Sequence, residues 1–205
     1  PDYGWLAEYE PPQMSRVYAA DSRLMAELAQ ERRIFVPIEA IPQRVQQAFI
    51  SAEDQRFREH TGVDPLGILR AVMQAAEQYG SGRRMSGAST ITQQVAKNML
   101  VGADRSFTRK AREAILALRI EKALSKDRIL ELYLNEIFLG QQAYGVAAAA
   151  QVYFNKSLDE LSVADVAYLA ALPKAPNNYH PVRRAEAAKA RRDWVIERML
   201  DDRAI

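Results

Sequence analysis

The sequence predicts a mainly α-helical protein with a short β element near its N-terminus. From Pro42 onward, segments with apolar residues at helical spacing follow one another, and most open on a capping residue or close on a glycine or proline. Before that point, residues 16–36 carry the β-branched and aromatic residues that suit strands. At 205 residues the chain is long enough to bury a proper core, as one domain or one domain with a small appendage.

In chain order, Ala20-Asp21-Ser22 is turn-like and separates a segment with Val, Tyr and Leu from one with Ile, Phe and Val, which reads as a small hairpin. Met25 to Gln30 also suits a helix. Pro42 suits a first helical turn, and Val45, Ala48, Phe49 and Ala52 make an apolar stripe running to about Asp54. Asp64-Pro65 is an N-cap followed by a proline at the first helical position, opening a helix from Leu66 to about Tyr79. Residues 80–87, with three glycines and two serines, form a flexible loop. Ser89 or Thr90 caps a helix to about Met99, Thr108 one to about Leu124, and Ser125 one to Leu139 with Gly140 just beyond. The alanine-rich stretch from Gly145 to Phe154 suits close helix packing. Ser162-Val163-Ala164-Asp165 is a capping box for a helix stopping at Pro173, and Arg183 to Asp202 supplies the last. The organisation expected is an N-terminal linker with a β element over 1–36 and one domain over 37–205.

Composition closes off several functions. There is no cysteine, so disulfides and thiolate metal sites are excluded, and two histidines make a histidine-rich zinc centre implausible. No apolar run reaches the roughly 18 to 20 residues of a spanning helix, and the N-terminus lacks a signal-peptide layout. The chain starts at Pro1 without a methionine and so reads as an excised piece or a processed product. Its formal charge of +2 is unevenly spread: residues 1–62 hold 7 Lys/Arg against 10 Asp/Glu, while residues 83–128 hold 11 against 4. So basic a middle segment wants an anionic partner, whether a phosphorylated small molecule, an anionic lipid head or nucleic acid.

Three polar clusters look like one site. Glu53, at the expected C-terminal end of its helix with Asp54 beside it and Phe49 and Phe57 close by, has reasons to bind its proton tightly, as a general base requires. Ser89, Thr90, Thr92, Gln93 and Gln94 sit at a helix start, with Lys97 about a turn beyond, an arrangement suited to an anion. Arg109 and Glu113 lie four apart with Lys110 and Arg112 on neighbouring faces. They are either an ion pair contributing about 0.3–0.5 kcal/mol or a second active-site acid among cations that hold a phosphate. Each cluster has a plainer reading as a solvated pair or a simple cap.

EDQRFREHTG, GASTITQQ, RKARE, KDRILELYLN and RRDWVI stand in the order of the five motifs of glycosyltransferase family 51, the peptidoglycan polymerase domain of class A penicillin-binding proteins and monofunctional transglycosylases. The resemblance runs from about Val17 to the C-terminus, includes AYLAALPKAPNNYHP, and is nearest to the 1a type of Gram-negative bacteria. The fifth motif departs from its usual Val-Leu ending with Val195-Ile196, a volume-conserving change. Neither Ser-x-x-Lys nor Lys-Thr-Gly occurs, so the resemblance does not extend to a transpeptidase half on this chain.

The resemblance implies a lysozyme-like helical domain with a smaller membrane-facing lobe. It implies inverting polymerisation of lipid II into β-1,4-linked glycan, with release of undecaprenyl diphosphate at the periplasmic face of the inner membrane. Glu53 would be the general base and Glu113 the second acid. Asp54, Phe57 and His60 would shape the cleft, and Ser89, Thr90, Gln94, Lys97 and Arg109 would contact sugar and diphosphate. Lys126 and Asn135 match the fourth motif with Glu131 and Tyr133, and Arg191 and Arg192 match the fifth; scaffold roles are as natural for Glu131, Tyr133 and Arg191. The partners implied are lipid II, the growing strand, the inner-membrane lipid surface, moenomycin-type inhibitors and other cell-wall synthesis proteins, with no nucleic acid. No cofactor is assigned with certainty, and a divalent cation, Mg or Mn, at the diphosphate stays open. Leu66, Ile68, Leu69, Val72 and Met73 lie either near the membrane surface or in ordinary core. Three rivals remain at this stage: a hydrolase or lytic transglycosylase on a similar fold, a basic helical module for nucleic acid, and an inactive binding domain that only holds lipid II.

Overall fold

The computed structural model describes residues 4–9, 15–18, 24–28, 32–77, 89–101 and 107–205. The expected turn at Ala20-Asp21-Ser22 and the 80–87 loop lie outside the described residues. Strands β1 (Ser15–Tyr18) and β2 (Leu24–Leu28) pair antiparallel as a hairpin, whose second strand is not the expected Ile-Phe-Val segment. That strand comes from the stretch that also suits a helix. The Ile34–Phe35–Val36 run belongs to no strand, and the Asn135 side chain pairs with its last residue: Oδ1 accepts from Val36 N and Nδ2 donates to Val36 O, both at 2.8 Å. Just before it, β3 (Arg32–Arg33) pairs in parallel with β4 (Ala143–Tyr144).

The rest of the body is helical: α1 (Gln43–Glu53), α2 (Pro65–Glu77), α3 (Ile91–Ala96), α4 (Phe107–Ala123), α5 (Lys126–Glu136), α6 (Val146–Phe154), α7 (Val163–Ala171) and α8 (Ala185–Asp201). Helix α3 runs on into a π-turn, Lys97–Val101. The capping expectations at Thr90, Ser125 and Ser162 hold, each side chain accepting from a backbone N–H of the first turn. Helix α4 starts at Phe107, one residue before its expected cap. Helix α5 stops at Glu136, short of Leu139. There Ile137 turns extended, Gly145 N donates to Ile137 O, and Leu139 N donates to Ala143 O, so the chain leaves the helix to make a tight turn at Gly140, φ +84°. Gly145 (φ +83°) brings α6 so close to the end of α5 that a Cβ there would meet Asn135 O at 2.6 Å.

The core is one continuous cluster. Helix α1 packs on α7 and α8, α3 packs on α4 and α5, and the small residues Ala147–Ala150 let α6 close on its neighbours. Phe49 and Tyr133 meet edge-to-face at its centre, with ring centroids 6.2 Å apart. The chain before α1 is tied to α5: Arg128 donates to Leu6 O and Tyr9 O, Arg33 pairs with Glu136, and Ile38 N donates to Glu131.

Helix α2 stands apart from this pattern. Among its described side chains only Ala71 is buried, while Leu66, Ile68, Leu69, Val72 and Met73 are all exposed. Of the two readings left open for these residues, ordinary core is therefore excluded. No helix among the described residues is long and apolar enough to cross a membrane.

Candidate active site

A groove of about 350 Å³ opens between the C-terminal end of α1, the start of α3, the first turns of α4, the segment after α7, and α8. Its lining includes Glu53, Ser89, Gln94, Lys97, Arg109 and Glu113 from the sequence-predicted set. Residues from all three polar clusters therefore meet in one cavity. Ala52, Gln93, Lys110, Pro173, Lys174 and Arg191 complete it.

Glu53 is the last residue of α1, and its Oε2 accepts from Gln94 Nε2 at 2.9 Å. Burial pushes its carboxyl above the usual value; the Gln94 hydrogen bond and the charges of Arg191, Lys174 and Lys97 oppose that shift without cancelling it. The sequence argument named Asp54 as a source of repulsion. Asp54 turns away instead, and burial carries the effect.

In the same groove Glu113 is buried and bracketed by cations. Arg109 Nε lies 3.2 Å from its Oε1, and Lys110 Nζ donates to its Oε2 at 2.9 Å and to Ser89 Oγ at 2.7 Å. The i,i+4 pair foreseen from spacing therefore exists, but not as a solvated surface pair. It forms part of the cavity wall. Lys97 enters from the π-turn after α3, a distortion that helices often carry at functional sites.

The remaining predicted residues stand behind this wall, outside the lining. Asp54 accepts from His60 Nε2 at 2.9 Å and from Ile91 N at 2.9 Å; His60 Nδ1 accepts from Gly62 N at 3.0 Å; Thr90 Oγ1 donates to Gly62 O at 2.6 Å. This closed ring of hydrogen bonds fixes the end of α1, which carries Glu53, to the start of α3, which carries Gln94. The Nδ1 acceptor role places the His60 proton on Nε2, facing Asp54. Gly62 is required where it stands, since with φ +102° a Cβ would meet Ala117 C and O at 2.8 Å. Phe57 is buried under Lys126, whose Nζ sits 4.5 Å from the ring centroid and donates to Glu121 at 2.7 Å. Thr92 donates to the same Glu121 oxygen at 2.6 Å. Asn135 and Glu131 hold the chain before α1, as described above, and the Tyr133 phenol is buried in the core with its proton held well above the usual range by burial.

Sequence reasoning missed Lys174 as a groove residue, left Lys110 only as a neighbouring cation of the third cluster, and left Arg191 without a firm place. Lys174 lies within the AYLAALPKAPNNYHP stretch but outside the five motifs. Nothing in its local spacing signals that the turn after α7 points it at Glu53.

The family described as Transglycosylase matches residues 21–200. Penicillin-binding protein 1A of Rickettsia felis is 54% identical over 98% of this chain, and that of Escherichia coli K12 is 48% identical over 98%. The chain spans about a quarter of the length of these relatives, 26% and 23% respectively. The crystal structure of penicillin-binding protein 1A from Haemophilus influenzae superposes with a TM-score of 0.51 at 30% identity, over 96% of this chain and 19% of that one. With its helical body, its groove and its motif residues, the chain belongs to the transglycosylase family, as a peptidoglycan glycosyltransferase domain of the penicillin-binding protein 1A kind.

Proposed function

We propose that the groove polymerises lipid II by inverting glycosyl transfer. The observation that carries this reading is that Glu53 and Glu113 line one cavity, with Arg109 and Lys110 paired to Glu113 and Lys97 in the same lining near enough to act on Glu53. Glu53 takes the proton from the 4-hydroxyl of the acceptor sugar. The freed oxygen attacks the anomeric carbon of the donor's N-acetylmuramyl unit, the bond from that carbon to the diphosphate breaks, and a β-1,4 link forms as undecaprenyl diphosphate leaves. The leaving group gathers negative charge as it departs, and preorganised cations at that end lower the barrier more than they would in water. Glu113 holds Arg109 and Lys110 in place for that task.

A divalent cation fits this wall poorly. Glu113 is the acidic side chain at the cationic end, Arg109 and Lys110 already engage its oxygens, and no three His, Cys, Asp or Glu side chains gather as metal ligands among the described residues. The charge on the diphosphate is accordingly assigned to side-chain cations.

The test is incubation with labelled lipid II. Long glycan strands are expected, and moenomycin is expected to suppress them. Release of muropeptides from purified peptidoglycan without any lipid II polymerisation would overturn the reading in favour of a hydrolase.

The lipid tail of the substrate must stay in or beside a bilayer, and the exposed apolar face of α2 is the part of the domain suited to rest on one at the periplasmic side of the inner membrane. Leu69→Glu with Val72→Glu is expected to weaken co-sedimentation with phosphatidylglycerol vesicles several-fold while leaving the melting temperature in place, since both side chains are exposed. Unchanged vesicle binding would remove α2 from that role.

A further inference from the structure

Arg191 reaches the groove from α8, and Trp194, one turn along the same helix, supports it there. The Arg191 guanidinium carbon lies 3.7 Å from the Trp194 ring centroid, and that of Arg198, one turn further on, lies 5.6 Å away. The Nε atoms of both arginines are buried without a hydrogen-bond acceptor. What stands against them is the indole. The ring is partly buried and packed against the core, so the body of the fold orients it. Trp194 does not line the groove and so has no part in contacting a substrate.

We propose that Trp194 is a positioning residue for glycosyl transfer: its indole face fixes Arg191 in the groove beside Glu53, and through Arg191 it tunes the base. The inference rests on the reading of Glu53 as that base. Several groups surround Glu53. Asp54 follows it on α1 but faces His60. Gln94 and Lys97 face it from α3 and its π-turn; Arg109, Lys110 and Glu113 from α4; the Tyr133 phenol from α5. Lys174 comes from the segment after α7 and Arg191 from α8. Burial pushes the Glu53 carboxyl up, and among the cations Arg191 pulls it down most. A guanidinium stacked on an aromatic face loses little further freedom in holding its place, whereas an unstacked one at a groove wall swings toward water. Without the indole, the opposing charge is spread over many positions, burial acts less opposed, and Glu53 keeps its proton to higher pH.

The experiment is the pH dependence of lipid II polymerisation for the wild type, Trp194→Leu, Trp194→Phe, Arg191→Met and the Trp194→Leu/Arg191→Met double variant, with folding checked by circular dichroism. Both Trp194→Leu and Arg191→Met are expected to displace the acid limb to higher pH, so that at a fixed pH on that limb the rate falls several-fold while the high-pH plateau changes much less. The double variant is expected to move the limb no further than Arg191→Met alone, because the indole acts only through that side chain. Trp194→Phe, which keeps an aromatic face, is expected to hold the limb close to the wild-type position. A Trp194→Leu profile lowered equally at every pH, or a limb that Trp194→Leu still displaces when residue 191 is Met, overturns the proposal. Should Trp194→Leu not fold, an Arg191→Met limb that stays in place overturns it as well. Retained activity in Glu53→Gln would instead defeat the reading of the base; an inactive Glu53→Gln with an unmoved Trp194→Leu limb defeats the positioning role alone.

Discussion

Glu53→Gln is expected to lower lipid II polymerisation by about 10²- to 10⁴-fold, the range typical of a lost general base. Substrate binding should persist. The replacement amide is isosteric and its carbonyl oxygen can still accept from Gln94 Nε2, so the groove keeps its shape and the cations of its wall keep their places. In the wild type, the rate should rise with pH through a carboxyl value above the ordinary one, because burial holds the proton on Glu53 longer than water would. The same shift has a stability consequence of fixed sign. A carboxyl raised in the folded state stabilises the fold fully below its unfolded value and loses that contribution as pH rises through the folded one. Above the folded-state value the ionised, partly buried Glu53 is thus a cost, and Glu53→Gln is expected to melt no lower than the wild type there. A variant that polymerises normally would sink the mechanism; one that is inactive but no longer binds lipid II would point to collapse of the groove.

Asp54→Ala is expected to carry the largest stability loss among the residues around the groove. The carboxylate accepts from His60 Nε2 and Ile91 N in a buried setting, and its removal leaves both donors unpaired. Two charge-assisted hydrogen bonds at about 1.5 kcal/mol each amount to about 3 kcal/mol. For a domain of this size that corresponds to a fall of about 6–12 °C in Tm. Activity should fall with it, because the same ring sets the distance between Glu53 on α1 and Gln94 on α3. Asp54→Asn keeps a carbonyl acceptor of the same shape and is expected to lose less. A calorimetric melt of Asp54→Ala within about 2 °C of the wild type would show that the ring does not hold the two helices together.

Asp54, Phe57, His60 and Thr90 illustrate how far a motif can be read. The order and spacing of the polar clusters marked the region of the groove, and Glu53, Gln94, Lys97, Arg109 and Glu113 all line it. That Asp54, Phe57 and His60 of EDQRFREHTG stand behind the wall while Glu53 lines the cavity was not legible. At the end of α1 the chain leaves helical geometry, Asp54 having φ −158° and ψ 72°, and helical periodicity stops predicting directions there. Lys126 and Asn135 show the same limit on α5. Each is committed to a partner far away in sequence, the Phe57 ring and the Val36 backbone, and no local pattern announces such a pairing. The early end of α5 has a similar cause. Residues 137–139 carry apolar side chains that suit a helix, but the bonds from Gly145 N to Ile137 O and from Leu139 N to Ala143 O hold the chain in a turn.

By itself the sequence determined the helical class, most capped helix starts and the basic block from 83 to 128, because helix signals and charge are local properties of the chain, while only its motif resemblance singled out Glu53 and Glu113. Only the tertiary structure decided that these acids line one cavity, that Lys174 and Arg191 join them there, and that the apolar side chains of α2 lie outside the core. Those outcomes depend on which helix faces meet, and packing between residues distant in sequence selects that through burial and hydrogen-bond satisfaction that no single segment contains.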